Sequence, residues 1–229
     1  MSDTLIVPIQ LDAMVVNAGV AGRDGFRWWQ FNYQALDSFQ SPEPPANGSQ
    51  LPIFGNGIYL SWALPLALRT GTQQTPQTMS VGYNLVPNRW LVIRINGTGP
   101  QRQAVGWVLE SDCPYTAATG ADLGQTSPYL VDPPTVQMWA HSSDTFRNAT
   151  GLDPTSTDAQ YVNLGIPFSL SQEWSEKAAD TMFLTAVAPA NPVFSIYYPH
   201  NPGVFSFYDD LNNITTDTLS YLVIGWFSD

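Results

Sequence analysis

Short stretches of alternating apolar and polar residues, separated by clusters of proline, glycine and asparagine, dominate this chain. Two-residue alternation is the signature of strands with one face buried. Residues 5–16 alternate in part, and Pro8 implies an edge position or a bulge there. Residues 19–25, with glycine at 19, 22 and 25, supply a turn into an aromatic-rich strand over 26–33, neither face of which is wholly apolar. The prolines at 42, 44 and 45 make 41–51 a loop. Residues 54–71 read as a turn, a short strand and a helical turn opened by Pro65 and closed at Gly71. A strongly apolar strand over 90–95 leads through an Asn96-Gly97 turn to a partner over 104–110, forming a wide hairpin. Periodicity then fails over 111–164, apart from a short strand candidate at 136–140. A helix is expected over 171–180, with Ser169 and Gln172 at capping-box spacing. Further strands are predicted at 182–187, 193–198, 204–208 and 219–227.

Short strands, 19 prolines and 17 glycines point to a mainly β fold. The expected architecture is a sandwich or open barrel of largely antiparallel strands, with one or two short helices and a long irregular insertion at about 111–164. At 229 residues, with no internal repeat or linker, residues 1–229 are expected to form a single domain. A long irregular segment inside a compact domain commonly serves binding or assembly.

Composition narrows the function classes. Charged residues make up 12%, roughly half of the usual share of about 25%. That excludes a charge-rich coiled coil and a charge-driven disordered chain. Nineteen acids against eight bases give a net charge of -11, which disfavours nucleic acid as a partner because few cations are present to displace phosphate counterions. No run approaches the length of a membrane span, and no basic segment precedes an apolar one as in a signal peptide, so a cytoplasmic location is the default expectation. Sequons at Asn47, Asn96, Asn148 and Asn213 carry little weight in a chain so rich in Asn, Ser and Thr. The lone Cys113 excludes an internal disulfide, and two histidines, His141 and His200, without thiolates make a zinc site unexpected. No cofactor is expected.

Three ordered segments resemble a known module. They are Gly57-Ile58-Tyr59-Leu60-Ser61-Trp62-Ala63-Leu64-Pro65, then Val86-Pro87-Asn88-Arg89-Trp90-Leu91-Val92-Ile93-Arg94, then Val204–Asp210 with Tyr221-Leu222-Val223-Ile224-Gly225-Trp226-Phe227. Together they are similar to the N-terminal module of long, poorly characterised microbial multidomain proteins. The resemblance brings no activity with it; it implies a module deployed at the front of a longer polypeptide.

Candidate chemistry is sparse. Arg89, at the mouth of a strand, offers a fork for a carboxylate or phosphate, or else pairs internally with one of the many aspartates. Gly55–Leu60 resembles the glycine-tyrosine segment of ADP-ribosyltransferases, which implies a nicotinamide-facing Tyr59, but no histidine precedes it. Asp209-Asp210 offers oxygen ligands for calcium or, more simply, builds a turn. Glu173 and Glu176 share a face of the expected helix, where the helix dipole would favour them. Among the aromatics, Trp139, Trp174, Tyr115, Tyr129 and Tyr161 lie in or beside irregular segments and are the candidate exposed binding residues. The leading expectation is a noncatalytic interaction or structural module that binds a protein partner or another domain of its own chain. The alternatives are a carbohydrate-binding or glycan-acting domain and an ADP-ribosyltransferase-like enzyme.

Overall fold

The computed structural model describes residues 7–17, 19, 56–75, 78–115, 129–131, 133–134, 136–137, 151–158, 160–176, 184–186, 204–212, 214 and 218–228. The strands are β1 (Gln10–Val16), β2 (Gly57–Ala63), β3 (Thr72–Thr75), β4 (Thr78–Gly82), β5 (Arg89–Asn96), β6 (Gln103–Tyr115), β7 (Tyr129–Val131), β8 (Gln160–Ser169), β9 (Ser206–Asp209) and β10 (Leu219–Trp226). A short helix, α1 (Leu66–Arg69), follows Pro65, which occupies its N-cap. A 3-10 turn at Gly99–Gln101 lies between β5 and β6.

The fold is mainly β and its sheets are open and antiparallel. One sheet runs β1-β2-β9, a second runs β10-β5-β6-β8-β7, and β3 with β4 makes a small ribbon. Alternation decides what faces the core. In β2, Ile58, Leu60 and Trp62 are buried on one side, while Tyr59 and Ser61 are half-buried on the other. In β5 the same rule buries Trp90, Val92 and Arg94 inward and leaves Leu91, Ile93 and Ile95 half-buried on the outer face. The two sheets meet through aromatic contacts. Trp62 packs against Trp90 at 5.2 Å between ring centroids, Trp90 meets Phe205 edge-on, and Trp107 packs against Phe207 at 4.8 Å. Fully burying such a side chain contributes about 1.5–3 kcal/mol, so this cluster is the main source of cohesion between the sheets.

Residues 57–65, 86–94 and 204–210 with 221–227 are therefore three walls of one core. The first supplies β2, the second enters and forms β5, and the third supplies β9 and β10. Two glycines in these walls are required by close approach. A side chain at Gly225 would overlap the Trp90 ring opposite it, and one at Gly57 would overlap the backbone of Asp209.

Several elements differ from the sequence reading. Residues 171–176 form a turn followed by irregular backbone instead of a helix, and Ser169 makes a local turn by bonding Ser171 and Gln172. Glu173 and Glu176 therefore do not share a helix face. The irregular insertion is shorter than expected, because β6 continues to Tyr115 and β8 begins at Gln160, with β7 between them. Val136 and Gln137 are helical, where a strand was expected. Pro8 lies just before β1, which is an edge strand of its sheet, in keeping with the edge position expected. In the region predicted as a strand over 182–187, the described residues make a single bridge, Thr185 to Leu85. The strands expected at 26–33 and 193–198 lie outside the described residues.

Candidate functional site

Strand β5 carries two buried arginines five residues apart, and an odd spacing sends them to opposite faces of the sheet. Arg94 points between the sheets. Its Nη1 donates to both carboxylate oxygens of Asp209, at 2.6 and 2.8 Å, and its guanidinium lies over the Trp107 ring at 5.4 Å. The Tyr221 hydroxyl donates to the same carboxylate at 2.8 Å, and the Leu211 amide does so at 3.0 Å. Burial, then the bond and charge of Asp209, raise the Tyr221 phenol well above its usual range. The pair thus fastens β9 to β5 and β10. Asp210 closes the following turn by accepting from the Asn212 amide, so the Asp209-Asp210 step builds a turn.

Arg89 faces the outer side and enters a different environment. Its guanidinium donates to Asp112, to Glu176 at 2.9 Å and to the Asn88 carbonyl at 3.0 Å. Glu110 lies directly across the ladder from it on β6, and Trp226 lies across from it on β10. Two indoles complete the group. Trp174 donates to Glu110 at 3.0 Å, Trp226 donates to Glu176 at 3.2 Å, and the two rings meet edge-on with centroids 6.3 Å apart. Burial lowers the tendency of Arg89 to hold its charge, but Asp112, Glu176 and Glu110 together outweigh it and raise its pKa. Burial, followed by Glu110 and Asp112, pushes the neighbouring Cys113 thiol up to about 12, which leaves it protonated and a poor nucleophile at neutral pH.

Asn88 locks this end of the sheet. Its side-chain amide donates to Asp112 at 2.6 Å and to the Ser228 hydroxyl at 2.7 Å, while its side-chain oxygen accepts from the Ser228 amide at 2.8 Å. Its carbonyl accepts from the Ser111 amide. The segment after β10 is thereby tied to β5 and β6.

The third feature is an edge. β10 ends its sheet, and among the described residues no strand pairs with its far side. Its eight residues, Leu-Ser-Tyr-Leu-Val-Ile-Gly-Trp, include no charge and no proline. Leu222 and Ile224 are each 47% exposed on the outer face, opposite Ile93 and Leu91 of β5. The outer edges of the two larger sheets are otherwise blunted among the described residues: β7 has three residues, β1 carries Asp12, and β9 has four residues and ends in Asp209.

The candidate residues read from the sequence are dispersed. Arg89 and Trp174 join one cluster, whereas Tyr115, Tyr129 and Tyr161 are placed in the ladders of β6, β7 and β8. Trp139, His141 and His200 lie outside the described residues. Tyr59 stacks on Tyr208 with centroids 4.6 Å apart on the outer face of the three-stranded sheet, and burial raises its pKa. Sequence reasoning missed Glu110, Asp112 and Trp226 as partners of Arg89; the register Trp226–Arg89–Glu110 across three strands is a property of pairing. Among the described residues no group of side chains is arranged to hold a metal ion, and no helix is long and apolar enough to cross a membrane. Comparison with protein-family models, curated proteins and solved structures returns no match to this chain.

Proposed function

We propose that this chain is a noncatalytic interaction module that docks a protein partner along the open edge of β10. The carrying observation is that edge: eight uncharged residues, unpaired on one side among the described residues, beside exposed Leu222 and Ile224. An exposed strand edge offers a row of backbone donors and acceptors, and strand addition uses that row for affinity while alternate side chains give selectivity. The apolar stripe of Leu91, Ile93, Leu222 and Ile224 continues the same surface onto the outer face of the sheet. The titratable groups support a scaffold more than a reaction centre: Arg89 and Arg94 are held by internal carboxylates, and the Cys113 thiol is held protonated. The similarity to N-terminal modules of multidomain proteins supports a partner in the same polypeptide or assembly.

The test is amide hydrogen exchange on the full chain with and without the extended probe peptide Lys-Thr-Val-Thr-Val-Thr-Val-Thr-Lys. Slower exchange confined to β10, abolished in the double variant Leu222→Lys, Ile224→Lys with unchanged circular dichroism, is the expected result. Unaltered exchange in β10 at saturating peptide would sink the proposal.

A further inference from the structure

Resting on that docking edge, we infer that its occupant is a partner segment with a lysine or arginine at the end that meets Trp226, and that a second copy of this chain is disfavoured. Charge is the argument. The net charge is -11, and the two buried cations, Arg89 and Arg94, at 3% and 5% exposed, are paired with the buried Asp112 and Asp209, so those charges cancel and the surface keeps an acidic excess. Two copies brought edge to edge would set like-charged surfaces within a screening length of about 10 Å or less.

The negative charge is also placed. At the Trp226 end of β10, one guanidinium meets Asp112, Glu110 and Glu176, three acids to one base among the described residues. Glu176 is the open member, its side chain 30% exposed. It is flanked by Trp226 and Trp174, both half-buried, whose ring faces attract cations. A strand lying along β10 and running past Trp226 would place its terminal side chain there. An acidic side chain would meet repulsion, and a basic one would find both a carboxylate and a ring. Among the described residues the opposite end of β10 offers nothing equivalent, since Asp209 is buried and held by Arg94.

The experiment compares four fluorescein-labelled probes with the same Thr-Val core in anisotropy titrations. They carry lysine at one end only, lysine at the other end only, glutamate at both ends, or threonine at both ends. One of the two singly basic probes is expected to bind about tenfold tighter than the threonine probe, which also gives the strand direction, and the glutamate probe is expected to be weakest. Raising the salt concentration should narrow the gap, and Glu176→Gln should remove most of it while the threonine probe's affinity stays fixed. Equal binding by all four probes overturns the inference but leaves edge docking intact. Binding by none removes the edge reading as well. A concentration-dependent dimer in sedimentation that Leu222→Lys, Ile224→Lys abolishes would assign the edge to a second copy and overturn the inference.

Discussion

The two arginines of β5 make a controlled comparison within one strand. Arg94 has a single carboxylate partner, Asp209, in a site sealed by Trp107 and Tyr221 between the sheets. Arg89 has three acidic neighbours, of which Glu176 reaches solvent. Among the described residues, one is balanced and closed and the other is over-compensated and open. A balanced interior pair holds a fold together, because removing either member strands the other in low dielectric. An over-compensated rim pair leaves residual charge that can act on something outside.

The comparison can be broken most forcefully at Asp209. Asp209→Ala should lower the unfolding free energy by about 3–5 kcal/mol in urea denaturation, because Arg94 is left buried and unpaired. Replacing both members, as Arg94→Met with Asp209→Leu, should recover most of that loss; a double variant as weak as the single would show that the charge itself is not the cause. Gly225→Ala comes next, at about 1–3 kcal/mol, since a methyl group there must displace the Trp90 ring. An unchanged midpoint would mean that β10 shifts freely on β5.

Alkaline titration separates the two ends more finely. The Cys113 thiol, normally near 9.0, is raised by burial first and then by Glu110 and Asp112, so above that pH the unfolded chain releases a proton that the folded chain retains. The folded state then binds more protons than the unfolded one, and stability falls as pH rises from about 9 toward about 12. Tyr221 at the other end adds a fall of the same sign that begins only near its ordinary 10.0. Cys113→Ser should therefore flatten the melting temperature between those two onsets and leave the steeper loss above them. A profile identical to the parent would dissociate Cys113 from the cluster. The smallest effect belongs to Glu176→Gln, under about 1 kcal/mol, as expected where solvent screens one partner. A cost equal to that of Asp209→Ala would erase the distinction between the two arginines.

Much of the framework was legible because buried strands advertise themselves. β2, β5 and β10 combine apolar alternation with aromatic anchors, and each was placed to within a few residues. β3 and β4 were missed because Thr72–Thr75 and its partner carry little apolar pattern. β8 did hold a signal, in Val162, Leu164, Ile166 and Phe168 at period two, but its first half falls inside the segment read as irregular over 111–164. Gly165 takes φ 90°, a left-handed conformation, where the β6–β8 register slips, so the alternation there is interrupted by a bulge. The helix expected over 171–180 failed because tertiary contacts use its side chains differently: Trp174 reaches Glu110 and Glu176 reaches Arg89. Local propensity is a weak guide where a segment lies across a sheet as a strap. Arg89 could be named from the sequence, whereas its surroundings depend on strand register.

The separations along the chain between partners also set an order of assembly. Arg89 finds Asp112 only 23 residues away, within reach of the β5–β6 hairpin, whereas Arg94 must wait for Asp209, 115 residues away. Closing the longer loop costs about 1.4 kcal/mol more in chain entropy, and contacts of that range are the ones that slow folding. A nascent hairpin can therefore neutralise its outer arginine early while Arg94 remains without Asp209 until β9 docks. The inner ion pair is the later of the two in sequence order, a clasp between strands that the chain supplies far apart.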